Sequence, residues 1–185
     1  MASRPTKILL TSFRPWLDHH QSNSSDDLLE LIQGFKLPQV ELIFLRRLIV
    51  DKSLASQKVI AAIVKHQPDL VLCCGMAESY KKLTLESQAF HEDKHYKTSL
   101  KLTKICAYLF QTEISHDAGK FVCEGLYFHV LQYLAQNQLK TPAAFVHVPR
   151  LNENNQTILL KDFQSIVTEL GQNLEEYDLP DKELT

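Results

Sequence analysis

The sequence predicts an α/β fold: a three-layer α/β/α sandwich around a mostly parallel, mixed central sheet. Two observations predict it. Short apolar runs (KILLTSF at 7–13, AAFVHV at 143–148 and the wholly apolar LVLCC at 70–74) recur along the chain. Runs that are apolar throughout suit strands covered on both faces. Between them lie segments whose apolar residues repeat at helical spacing, and such alternation packs as helices on a sheet.

The elements follow in order. Lys7 to Phe13 reads as a buried strand, and Arg14 to Ser25, with its Pro, Asp, Asn and Ser, as a loop. Ser24 or Ser25 can cap a helix whose first turn carries Asp26 and Asp27, charges that suit the positive helix start; it runs to about Gln33 and stops at Gly34. Gln39 to Leu48 reads as a strand. Ser53 to His66 places Ala55, Val59, Ala62 and Ile63 at helical spacing. Pro68-Asp69 precedes a strand at Leu70 to Cys74, and Leu83 to Phe90 reads as another. Thr98 to Phe110 reads as a helix through Leu102, Ile105, Cys106 and Leu109. Thr112 to Ser115 reads as a short strand, Phe121 to Gln136 as a helix, and Ala143 to Val148 as a strand stopped by Pro149. Ile158 to Leu174 is the most amphipathic helix, and from Glu175 onward the chain reads as frayed and polar.

The 185 residues suit one domain spanning 1–185, with 44% hydrophobic and 23% charged residues. A net charge of −2 gives no basic excess for nucleic acid or an anionic membrane surface. No apolar stretch is long enough to span a bilayer, and Met1 to Lys7 lacks a signal-peptide pattern. The four cysteines form neither a spaced disulfide framework nor a zinc pattern, so a cytoplasmic location is expected.

In α/β sheets, sites gather at the carboxyl ends of strands. Gly75 onward, Ser115 to Gly119, and His147 to Arg150 hold that place in the expected fold. Cys123 follows one such turn and lies near a helix start, where free N–H groups and the dipole favour a thiolate; from spacing alone the plainer reading is a small packed residue. His147 ends an apolar strand and can present an imidazole base to a cleft. Glu86 lies among Leu83, Leu85, Ala89 and Phe90, where a carboxylate needs a partner unless it faces water. A rival motif is His91-Glu92-Asp93-Lys94-His95, which matches H-E-x-x-H. Zinc chemistry there requires a helix that brings both imidazoles to one face, and the polar surroundings read instead as a solvated loop.

Taken together, these segments resemble pyroglutamyl peptidase I, the pyrrolidone-carboxylate peptidase family of cysteine peptidases, from Lys7 to about Leu174. Thr11-Ser12-Phe13-Arg14-Pro15-Trp16 is similar to the family's opening strand and loop, and Asn23-Ser24-Ser25 to its N-P-S element. Pro68-Asp69 through Gly75-Met76-Ala77 matches its P-D…G-x-A strand and turn. The resemblance places the family's glutamate eleven residues after that glycine, at Glu86. Ser115-His116-Asp117-Ala118-Gly119-Lys120-Phe121-Val122-Cys123 and Phe145-Val146-His147-Val148-Pro149 match the nucleophile and histidine blocks.

The resemblance implies a phosphorylase/hydrolase-like fold and removal of an N-terminal pyroglutamyl residue from peptides. Cys123 would be nucleophile, His147 base then acid, and Glu86 the group that orients His147. Phe13, Trp16, Phe121 and Val122 would wall the pocket for the lactam ring. No cofactor and no metal are implied, and the expected partner is a peptide substrate with N-terminal pyroglutamate. The chain also departs from the pattern. Tyr80 stands where the family carries Arg, Met76 where many members carry Gln, Asp117 for Ser, and Glu124 for Asn. Most of the excursion between the glutamate and the cysteine is missing, with Glu86 and Cys123 37 positions apart (123 less 86). That excursion carries contact surface in oligomeric members, so a homo-oligomer would have a shortened interface. The alternative expectation is a non-catalytic binding protein that keeps the fold.

Overall fold

The structure is a computed structural model that describes residues 4–177. Its elements are β1 (Thr6–Phe13), α1 (Ser24–Ile32), β2 (Val40–Leu48), α2 (Lys52–His66), β3 (Leu70–Met76), β4 (Leu83–Glu86), β5 (Gln88–His91), β6 (Lys94–Lys97), α3 (Leu102–Cys106), β7 (Thr112–Ser115), α4 (Val122–Gln136), β8 (Ala143–Val148) and α5 (Gln156–Tyr177). Six strands form one sheet in the order β2-β1-β3-β8-β4-β7, and β5 and β6 pair as a separate hairpin. β2, β1, β3 and β8 are parallel. β4 runs antiparallel to β8 and parallel to β7. The expected mixed, mostly parallel sheet is therefore present.

The alternation of side chains along each strand divides the core into two layers. Ile8, Leu10, Leu72 and Val146 face Leu29, Phe163 and Ile166, the side of α1 and α5. Leu9, Val71, Cys73 and Phe145 face Val59, Tyr127 and Val130, the side of α2 and α4. Each large apolar side chain so buried stabilises the fold by about 1.5–3 kcal/mol relative to exposure. This explains why the central strands are apolar on both faces. Covered on both sides, they have no wet face to make polar.

Local chemistry refines the expected boundaries. Asn23, not Ser24 or Ser25, caps α1, its side-chain oxygen accepting from the Ser25 N–H at 3.1 Å. The two serines turn inward instead. Ser24 donates to the Val148 carbonyl at 3.0 Å, and Ser25 Oγ accepts from the Phe13 N–H at 3.3 Å, tying α1 to the ends of β8 and β1.

Leu83 to Phe90 is not one strand: pairing passes from β8 to β6 around Ser87. The expected helix from Thr98 to Phe110 shrinks to Leu102–Cys106. Thr98 Oγ1 accepts from the Leu100 N–H and Lys101 N–H is drawn to the Tyr177 carbonyl, so the segment before Leu102 is used in turns. The polar tail begins later than expected: α5 continues to Tyr177, whose ring is buried and whose hydroxyl donates to Glu169 at 3.0 Å. Residues 178–185 of the expected frayed tail lie outside the described residues.

The H-E-x-x-H segment is neither a helix nor a loop. It forms the β5–β6 hairpin, with Glu92 and Asp93 at the turn and Glu92 at φ 53°. Phe90 faces His95 across the hairpin and His91 faces Lys94, so the two histidines point to opposite faces. His91 packs on Phe128 and His129, and His95 stacks on Phe90. The shared metal face that the zinc reading requires is absent.

Candidate active site

Strand register brings Glu86 and His147 together. Glu86 lies opposite Phe145, and Phe145 and His147 are two apart on β8, so all three share one face. His147 Nδ1 lies 2.7 Å from Glu86 Oε1. A carboxylate only accepts, so Nδ1–H donates and Nε2 is left as the free base. Both side chains are buried, Glu86 completely. Tyr127 on α4 donates its hydroxyl to the Glu86 carbonyl at 2.9 Å and fixes that end of β4. The other carboxylate oxygen, Oε2, is buried without a hydrogen-bond partner.

Cys123 reaches the same place from the helix layer. Gly75 on β3 is the register partner of His147. A Cβ on Gly75 would meet Cys123 Sγ at 2.6 Å and the Phe145 ring at 2.8 Å. The missing side chain at Gly75 thus makes the room in which the thiol sits, on the sheet face that carries His147. β7 runs opposite to β3 and β8, so Ser115 does not lie with Gly75 and His147 at one sheet edge as expected. The segment after Ser115 turns back to reach α4. Ser115 Oγ accepts from the Asp117 N–H, Asp117 accepts from the Gly119 N–H, and Gly119 takes φ 91°, a conformation that suits glycine.

Cys123 is the second residue of α4, and the helix start has no side-chain cap. Its first-turn N–H groups and positive dipole are therefore available to an anion. Burial nevertheless pushes the thiol up to about 12, with Cys73 and Glu86 adding negative charge and the residue's own N–H opposing. A thiol raised in this way is neutral near pH 7 and would need a base before it could attack a carbonyl. Glu124, next in the chain, accepts the Phe90 N–H at 3.2 Å, so its carboxylate is engaged by β5. Burial, partly offset by that bond, raises its pKa.

The four expected pocket residues are spread differently. Phe13 is buried at the end of β1 within the α2/α4 core layer. Val122 packs partly buried on that layer. Trp16 is 54% exposed in the loop after β1, and Phe121 is 76% exposed just before α4. A separate hollow of about 910 Å³, bounded by Phe35, Tyr108, Phe110 and Ile158, includes none of Cys123, His147 and Glu86.

Tyr80 is a neighbour whose contact the sequence did not signal. It closes a turn with its N–H on the Ala77 carbonyl at 3.0 Å, and its ring stands edge-on to His147 with centroids 5.6 Å apart. Burial, then the charge of Glu86, raises its phenol and keeps it protonated. Its place in the otherwise familiar turn marked it only as a departure.

Comparison with known proteins decides the family. The pyrrolidone-carboxylate peptidase of Vibrio vulnificus strain YJ016 is 31% identical over 173 residues, covering 80% of each chain. This chain belongs to the pyroglutamyl peptidase family. The family's sequence model, described as pyroglutamyl peptidase, matches residues 95–170, a span that holds both Cys123 and His147. The pyrrolidone-carboxylate peptidase of Brachyspira hyodysenteriae is 25% identical over 173 residues, covering 80% of this chain and 85% of its own. Solved members of the pyroglutamyl peptidase family share the fold. The pyrrolidone carboxyl peptidase of Thermococcus litoralis superposes with a TM-score of 0.81 at 19% identity, covering 95% of this chain and 98% of that one. Pyroglutamyl peptidase I of Bacillus amyloliquefaciens gives 0.80 at 20% identity, over 94% and 100%. Among the described residues no helix is long and apolar enough to cross a membrane.

Proposed function

We propose that this chain is a cysteine exopeptidase that removes an N-terminal pyroglutamyl residue from peptides, with Cys123, His147 and Glu86 as its catalytic set. The observation that carries the proposal is the 2.7 Å Glu86–His147 contact beside a thiol seated over Gly75, the register partner of His147.

The steps follow from those positions. His147 Nε2 takes the Cys123 proton as Sγ attacks the carbonyl carbon of the pyroglutamyl residue. Glu86 steadies the imidazolium through Nδ1–H. The oxyanion faces the uncapped N–H groups at the start of α4. Collapse breaks the C–N bond, and His147 returns its proton to the leaving amine. Water, deprotonated by His147, then attacks the thioester and releases pyroglutamate and the free thiol.

Phe13, Trp16, Phe121 and Val122 are the proposed pocket residues. Trp16 and Phe121 are exposed enough to meet a ligand directly. A flat, uncharged lactam suits aromatic faces. The partner is a peptide with N-terminal pyroglutamate.

A second reading, a non-catalytic binding protein, is favoured by the thiol pushed up to about 12 and by the orphaned Glu86 Oε2. Hydrolysis of a fluorogenic pyroglutamyl amide by the wild type and by Cys123→Ala tests both. Turnover that vanishes in the variant supports the peptidase; no turnover in the wild type, with retained binding of the amide, selects the second reading.

A further inference from the structure

The loop after β1 and the turn after β3 carry a cluster that the catalytic reading does not use. One ring nitrogen of His19, one of His20 and a carboxylate oxygen of Glu78 all lie within 4.8 Å of one another. His20 Nε2 is 3.0 Å from Glu78 Oε1. The His20 side chain is only 2% exposed, yet its Nδ1 has no hydrogen-bond partner. The nitrogen turned toward Glu78, Nε2, is the one placed to bind an ion, and Nδ1 points elsewhere from the same ring. Trp16 stands edge-on to His20 with centroids 5.8 Å apart, and the His19 and His20 rings are 4.4 Å apart. His19 and Glu78 are exposed, which gives an ion a path from solvent.

We propose that His19, His20 and Glu78 form a three-ligand site for a borderline divalent transition metal, with Zn²⁺ as the natural probe. Two imidazoles and one carboxylate suit Zn²⁺ or Co²⁺, whereas Ca²⁺ and Mg²⁺ take oxygen-rich sets. Tetrahedral Zn²⁺ with bonds near 2.1 Å holds its ligands roughly 3.4 Å apart. The His20–Glu78 pair is already near that separation, and the exposed His19 and Glu78 side chains can close the rest by rotamer changes. The ion would replace the proton now shared by His20 and Glu78 and leave a fourth position to water. The neighbours of the cluster suggest a consequence. Glu78 sits inside the Ala77–Tyr80 turn, and Tyr80 lies against His147. A bound ion would clamp the Trp16 loop to the turn that supports the imidazole. The site itself stands on its own geometry, whatever the activity of the triad.

The test uses the full chain with Cys123→Ala, which removes the thiol as a competing zinc ligand. Zn²⁺ is titrated by calorimetry and Co²⁺ by its visible absorption. One equivalent should bind at micromolar concentration, with the Co²⁺ spectrum of a low-coordinate site. His19→Ala and Glu78→Gln, both at exposed positions, should each weaken binding by about tenfold or more. His91→Ala, which alters the histidine pair beside β5, should leave it unchanged. Circular dichroism checks that all variants are folded. Absence of binding up to millimolar Zn²⁺ overturns the proposal. So does binding that His19→Ala and Glu78→Gln leave intact, or that His91→Ala removes.

Discussion

The sulfur of Cys123 lies 2.6 Å from the point where Gly75 would carry a Cβ, so the thiol occupies the space of a side chain that β3 lacks. Gly75→Ala must therefore displace either the thiol or the Phe145 ring, itself 2.8 Å from that point. Overpacking of a buried site costs about 1–3 kcal/mol. The expected result is a lower Tm together with loss of most turnover, because the thiol moves relative to His147. Gly34→Ala is the control: nothing lies within 4 Å of its Cβ position, so Tm and turnover should hold. Wild-type turnover in Gly75→Ala would mean that the thiol is not used where it sits.

Glu86→Gln separates orientation from stability. The amide can donate to His147 Nδ1, which favours the wrong tautomer. In the serine-protease triad the equivalent change lowers kcat about 10⁴-fold, and a fall of about 10³-fold or more is expected here. Stability should change little or rise, because the carboxylate is fully buried with Oε2 unpartnered and an amide is cheaper to bury. Steady-state kinetics and a thermal melt on the same sample read both effects. A Glu86→Gln enzyme with unchanged kcat would remove Glu86 from the catalytic set.

The thiols predict a pH dependence. Burial raises both Cys123 and Cys73 from 9.0 to about 12. Between those values the folded state holds protons that the unfolded state has lost, so stability falls as pH rises. The contribution is fully present below about pH 9 and is lost towards pH 12. Denaturant melts from pH 7 to 11 should show a declining midpoint, and Cys123→Ala should flatten part of the decline. Thiolate absorbance near 240 nm should be small at neutral pH in the free protein, and alkylation by iodoacetamide correspondingly slow. A strong neutral-pH thiolate band absent from Cys123→Ala would show a preformed ion pair with His147 instead.

How much of this was legible in the sequence depends on the range of the interactions. β1, β3 and β8 were readable because a strand covered on both faces is mostly apolar, with Thr11, Ser12 and His147 the buried polar exceptions. The break at Ser87 was not, since Leu83–Phe90 is continuously strand-like and only its partners change, from β8 to β6. The reversed direction of β4 and β7 is likewise a choice of partner, invisible locally. Cys123, His147 and Glu86 were singled out as candidates by local motifs and the family resemblance. The Glu86–His147 bond, across 61 positions, arises from strand register. Tyr80 was visible only as a departure, because its value lies in an edge-on contact between a turn and a strand end.

Tyr80→Phe and Tyr80→Ala test that contact. Phe keeps the ring that stands 5.6 Å from the His147 ring and should retain kcat/KM within a few-fold. Ala removes the ring and frees the imidazole to shift. A misplacement of about 1 Å can cost 10²-fold, so a loss of about 10–100-fold in kcat is expected with a smaller change in KM. Equal losses in both variants would assign the effect to the hydroxyl, and no loss in either would leave the ring without a positioning role.

Asp162 carries the last prediction, and it separates fold from site. This buried carboxylate on α5 accepts the Gln111 N–H at 2.6 Å, the Thr112 hydroxyl at 2.8 Å and the Phe110 N–H at 3.4 Å, so it holds the start of β7. Asp162→Ala leaves these donors unpaired, at about 1–3 kcal/mol for each one that stays buried. The midpoint of denaturant unfolding should fall markedly. β7 lies beside β4, with Ser115 opposite Glu86, so the folded fraction should lose some activity by loosening Glu86, but far less than Glu86→Gln loses. A Tm equal to wild type in Asp162→Ala would mean that water replaces the carboxylate, and that α5 does not anchor the edge of the sheet through this residue.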